Sequence, residues 1–132
     1  MSSTVGVLAA AINAAVLQEK RAAQAHKIGE IKTTLASSGC HTVNNQALAL
    51  GLCRSTTWHL LTGGHKHCGL TARVVNTILS SPLLPAPVRL VIRDYVQRKL
   101  AGEYGHSANA IARFKSRLPI ASLLSDPSHN FG

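Results

Sequence analysis

The chain opens on an almost unbroken apolar run. From Val5 to Leu17 only Asn13 is polar, and alanine is the commonest residue. Alanine is the strongest helix former, with leucine close behind. The run therefore predicts a helix from about Thr4, capped by Ser2 or Ser3, to about Ala25. Its later part, Gln18 to Lys27, is polar. A helix end that is apolar nearly all round is not stable alone in water, so Val5–Leu17 is expected to lie on the core or against a second chain. A second stripe follows at once. Ile28, Ile31 and Leu35 recur at i, i+3 and i+7 on one face of a helix from Ala25 to Ser37, with Gly39 as its stop. No breaker lies between the two segments, which can run on as one.

Beyond Gly39 the elements shorten. Thr42-Val43-Asn44-Asn45 is a cluster of capping residues before an apolar segment, Gln46 to Leu52. Arg54 to Leu61 forms another short helix closed by Gly63-Gly64, and His65 to Gly69 is a polar loop. A helix from Thr71 to Leu79 ends at Ser81-Pro82, because the residue before proline resists the helical region. Pro85 and Pro87 suit the first turn of a longer helix reaching Leu100, with Val88, Val91, Ile92, Tyr95 and Leu100 as its buried stripe. Gly102 or Gly105 stops it, and Ala108 to Leu118 can form one more helix. Few segments alternate in the manner of strands, so the chain reads as all-α. Its parts are an apolar helix over 1–25, a helical domain over 26–82, C-terminal helices over 83–118 and a loosely ordered tail over 119–132.

Charge sharpens the picture. There are 14 Lys and Arg against 5 Asp and Glu, a formal net charge of +9. No acid occurs from Ile31 to Arg93, a stretch that carries Lys32, Arg54, Lys66, Arg73, Arg89 and Arg93 together with His41, His59, His65 and His67. Cations without compensating acids set up a positive potential that draws in polyanions. That identifies a class of partner and no mechanism.

The mechanism is suggested by residues 46 to 62. Two short helices meeting at a steep angle need a small residue at their contact, a turn residue that tolerates positive φ, and apolar residues that lock the pair. Ala47, Gly51, Leu52 and Leu60 supply these in order, leaving Arg54, Ser55 and His59 to project from the opposite side. In this spacing the segment resembles the helix-turn-helix of the lac-repressor and lambda-repressor-like family. In that family an alanine, a glycine four residues on, an aliphatic, a Ser/Thr-rich helix start and a late aliphatic recur. Leu61-Thr62-Gly63 is similar to the end of the family's recognition helix, and Leu70-Thr71-Ala72-Arg73-Val74-Val75 to the segment after it. The likeness covers Thr42 to Leu79, with the helix around Ile28–Leu35 as the first of the bundle. Two positions depart from it. Thr57, with Trp58 beside it, stands where valine or isoleucine is usual, so either the threonine methyl packs there or the register slips by one. Cys53 stands where serine often caps the helix.

The resemblance implies a lambda-repressor-like bundle with an extra N-terminal helix and a long C-terminal helix. It also implies that the second helix of the pair enters the major groove of double-stranded DNA. Arg54, Ser55, Thr56 and His59 are then expected at base edges. Asn44, Asn45 and Gln46 are placed to hold phosphates through main-chain N–H groups. His65, Lys66, His67 and Arg73 would grip the backbone beyond the loop. Trp58 is expected in the core rather than at the contact.

Other chemistries find less support. Cys40, Cys53 and Cys68 are odd in number and irregular in spacing, which fits a reducing cytosol better than a disulfide framework. With His41, His65 and His67 they offer zinc-ligand types without paired spacing, so no metal and no cofactor is expected. The thiols at Cys53 and Cys68 remain open to oxidation. Val5–Leu17 is too short for a membrane span and lacks the basic flank of a signal peptide. No carboxylate pair, phosphate loop or nucleophile elbow points to an enzyme. The expected protein is a transcription regulator of the cytoplasm and nucleoid. It binds a two-half-site operator as a homodimer, using Val5–Leu17 or Val88–Leu100 as the twofold surface. A helical adaptor binding a protein through Val5–Leu17, or a nonspecific nucleic-acid-coating protein, are the alternatives.

Overall fold

The computed structural model describes residues 2–62 and 69–118, with side chains from residue 8 onward. Among these residues the protein is entirely helical: α1 (Ser2–Ser37), α2 (Val43–Leu50), α3 (Arg54–Leu61), α4 (Ala72–Leu79), α5 (Ala86–Leu100) and α6 (Ala108–Arg117). Expectations for Gly63-Gly64, His65, Lys66, His67, Cys68 and the tail 119–132 lie outside the described residues.

The two segments expected before Gly39 form one helix of 36 residues, about 54 Å long at 1.5 Å per residue. It stops where Gly39 takes φ +95° and Cys40 N–H reaches back to the Leu35 carbonyl at 2.9 Å. That left-handed exit closes off the last carbonyls of a helix. The second half of α1 is the spine of the core. Gln24, Ile28, Ile31 and Leu35 are all buried along one stripe, which packs chiefly against α5.

The first half of α1 is different. Leu17 is half-buried, and its Cδ1 lies so close to Gly105 that a Cβ there would stand 2.6 Å away. Before Leu17, every residue from Leu8 to Val16 is exposed, including Leu8 at 62% and Ile12 at 56%. Leu8 to Val16 therefore do not pack on the core formed by the described residues. They project as an arm, and no helix among the described residues is long and apolar enough to cross a membrane.

One buried cluster draws on every helix from Ile28 to Leu118, so residues 26–82 and 83–118 share a core. Val88, Ile92, Tyr95 and Val96 of α5 are buried in it. These residues face the core, so only the outer side of Val88–Leu100, where Leu90 is exposed, is open to a second chain. Caps hold the short helices in place. Thr42, Thr71 and Ser107 each accept a main-chain N–H three residues on, at the starts of α2, α4 and α6. Charge links α1 to α5 on the outside. Lys27 Nζ lies 2.6 Å from Asp94, which also accepts from Arg98 at 2.8 Å. The Lys27 hydrogen bond holds the Asp94 carboxyl below the ordinary carboxylate range.

The most constrained point is polar. Tyr95 donates its hydroxyl proton to Gln24 Oε1 at 2.6 Å and accepts from the Leu70 N–H at 2.9 Å. Lys99, itself buried, donates to the Leu70 carbonyl at 2.7 Å and lies 4.3 Å from the centre of the Phe114 ring. Together these bonds tie the chain at residues 69–70 to α1 and α5.

Candidate nucleic-acid interface on α3

Gly51 determines how α2 and α3 meet. It takes φ +71°, its N–H reaches the Leu48 carbonyl at 3.3 Å, and Leu52 N–H reaches Ala47 at 3.1 Å. A side chain here would be strained by the left-handed backbone. It would also crowd its neighbours, since a Cβ would lie 3.2 Å from Ser81 Cβ and 3.5 Å from the Thr77 carbonyl. Ala47 is buried beneath the turn, Leu52 is half-buried, and Leu60 is fully buried on α3.

α3 has an inner and an outer face. Thr57, Leu60 and Leu61 are buried, one turn apart and adjacent, as a helix pinned along one side requires. Thr57 fits the interior because its hydroxyl donates to the Cys53 carbonyl at 3.0 Å, leaving its methyl for packing. The outer face then falls to Ser55, Trp58 and His59, all exposed, and Arg54 is exposed at the helix start. Trp58 departs from expectation. It is 52% exposed and meets the His59 ring edge-on at 5.3 Å. With the helix pinned at 57, 60 and 61, position 58 turns outward whatever its size.

These outward residues, with Val43 and Cys53, line a shallow hollow at the start of α3. Cys53 occupies the cap position without a side-chain bond to the helix backbone. Its Sγ lies 3.0 Å from the Thr56 hydroxyl and 3.6 Å from that of Ser55. Hydroxyl bonds, first from Thr56 and then from Ser55, lower the thiol pKa to about 7. The alkylation rate of Cys53 with iodoacetamide is therefore expected to be half-maximal near pH 7 and to level off above it. Thr56→Val should move that midpoint upward. A midpoint at the free-thiol value of about 8.5 in the unmodified protein would show that these donors do not act on the sulfur.

The remaining predicted contacts fall in different places. Thr56 is half-buried with its hydroxyl turned to Cys53, so it supports the thiol rather than facing outward. Asn44 and Asn45 are exposed at the start of α2, where the Asn45 N–H is taken by the Thr42 hydroxyl at 3.2 Å. Gln46 does not fit a phosphate contact. Its N–H bonds to the Thr42 carbonyl at 2.9 Å, and its side chain is buried, donating to the Cys40 carbonyl at 3.3 Å. One turn into a helix, the main-chain N–H already has an internal acceptor. Arg73 is exposed at the start of α4.

Among the described residues no three of His, Cys, Asp and Glu gather as metal ligands. α2, α3 and α4 carry no acidic side chain. Glu30, Asp94 and Glu103 are held by Lys27 and Arg98 on α1, α5 and the turn after it, and Glu19 sits on α1. The exposure of Trp58 was open to sequence reasoning through the 57/60/61 period, whereas the Cys53–Thr56 contact carries no sequence signal. Comparison with protein families, with characterised proteins and with solved structures finds no match to this chain.

Proposed function

We propose that this chain reads double-stranded DNA by sequence and regulates transcription, acting as a homodimer on a two-half-site operator. One observation carries the reading. α3 is pinned along Thr57, Leu60 and Leu61 while Ser55 and His59 lie exposed on its opposite face and Arg54 is exposed at the helix start. The likeness of this segment to the lac-repressor and lambda-repressor-like helix-turn-helix supports the same reading, as does the acid-free stretch around it.

In this reading α3 enters the major groove with its N-terminal end leading. Arg54 forms two parallel hydrogen bonds to guanine O6 and N7, Ser55 reaches a base edge, and His59 reaches a guanine or a phosphate. Trp58 offers an apolar plane to a thymine methyl. Asn44, Asn45 and Arg73 hold backbone phosphates on either side. Selection of bound duplexes from a random pool tests this directly, with enrichment of one motif by orders of magnitude expected. Recovery of unenriched DNA would replace the reading with a nonspecific coating protein.

One helix of eight residues spans only a few base pairs, so twofold binding is the natural source of affinity. The arm suits the interface, since it has no charged residue before Glu19 in a chain of net charge +9. Ile12→Glu is expected to shift the sedimenting species from dimer to monomer. It should also weaken binding to a palindromic site by roughly tenfold while sparing a single half-site. An unaltered sedimentation profile would remove the arm from the dimer and favour an adaptor that uses it for another protein.

A further inference from the structure

We propose that the hollow between α4, α5 and α6 is a second anion site, built to take a phosphate group. Two adjoining concavities meet there, sharing Thr71, Ala72 and Arg117. One is completed by Arg73, Asn76 and Thr77, the other by Lys99, His106, Ala110, Arg113 and Phe114. No carboxylate lines either of them.

The positive groups are arranged at two depths. Lys99 is buried at the base, its ammonium anchored on the Leu70 carbonyl and over the Phe114 ring. Arg113 and Arg117 stand one helical turn apart on α6, exposed at the rim, with Arg73 across from them on α4. Among the described residues none of these three arginines pairs with a carboxylate. Like charges one turn apart on a helix repel, and an anion between them relieves that repulsion. The planar guanidinium fork matches phosphate oxygens two at a time. The amino-terminal end of α4 opens on the same space and adds its partial positive charge.

The frame does not depend on the arginine side chains. Asn76 Nδ2 holds the Arg117 main-chain carbonyl at 3.2 Å, the Ser107 hydroxyl caps α6, and Phe114 packs into the core. Removing the guanidinium groups therefore tests binding without dismantling α6.

Pyrophosphate titrated into the full chain by calorimetry, with chloride as the background salt, is the first arm. Saturable binding at one site is expected. The double variant Arg113→Gln/Arg117→Gln should weaken it at least tenfold, with the circular-dichroism spectrum retained. Lys115→Gln, an exposed cation on α6 that does not line the hollow, should leave it unchanged. Absence of saturable binding, or equal losses in both variants, overturns the proposal, because either result reduces the hollow to diffuse surface charge.

The second arm separates the sources of the phosphate. If pyrophosphate competes with a duplex and the double variant lowers the salt dependence of duplex binding, the group is a DNA backbone phosphate. If duplex binding is indifferent to both, the site takes a free phosphorylated ligand. Either result upholds the phosphate chemistry. The first arm uses no DNA, so failure of the α3 reading and failure of this one are distinguishable.

Discussion

Gly69→Ala is expected to destabilise the fold by roughly 3–5 kcal/mol, a large share of a small domain's stability. Gly69 takes φ +65°, and an added Cβ would run into Gln24 Oε1 and the Tyr95 hydroxyl. The left-handed backbone alone costs a residue with a Cβ about 1–2 kcal/mol. The larger part comes from the network. Gln24 and Tyr95 are fully buried and hydrogen-bonded to each other, and Tyr95 also accepts from Leu70. Pushing either side chain away orphans buried polar groups at about 1–3 kcal/mol each. Urea unfolding followed by circular dichroism measures the loss. Gly29→Ala provides the opposite sign. Gly29 lies within α1 with open space around it, so alanine there should stabilise by about 0.5–1 kcal/mol. A Gly69→Ala loss below about 1 kcal/mol would mean that the buried network can re-form around a methyl group.

That network also marks the limit of what the sequence makes legible. The helices could be read because their signals are local: the capping cluster Thr42–Asn45, Pro85 and Pro87 at the start of α5, Gly39 and Gly51 as left-handed exits. Gln24 could not be placed. It sits in the polar run Gln18–Lys27 and reads as solvated, and only Tyr95 and Gly69, distant in sequence, explain its burial. Lys99 is similar. A lysine in the last turn of a helix normally faces water near the negative end of the helix dipole, yet Phe114 of a later helix covers it. On the candidate site the turn at Gly51 and the outward face of Ser55 and His59 follow from local pattern, whereas Arg54 shares the row of Thr57 and Leu61 and is exposed by its place at the helix start. Trp58 was misplaced because its size was weighed above the period of Thr57, Leu60 and Leu61. The arm is expected to be covered by the core or by a second chain, and among the described residues Leu8 to Val16 are exposed.

Arg54→Ala should change which DNA is bound more than how well DNA is bound. Arg54 is exposed, follows the Cys53 cap and opens α3, so its removal leaves the core untouched and stability within about 0.5 kcal/mol. If its guanidinium spans guanine O6 and N7, alanine forfeits discrimination at one base position by about 1–3 kcal/mol, roughly five- to 150-fold. Arg73→Ala gives the contrast. A phosphate contact carries no sequence information, so its loss weakens every duplex alike and lowers the slope of log K against log salt by about one. Competition titrations on the selected motif, on the motif with the guanine replaced, and on random duplex, each at two salt concentrations, separate the two patterns. If both variants lower affinity in proportion on all three duplexes, Arg54 supplies charge alone and base reading by α3 fails.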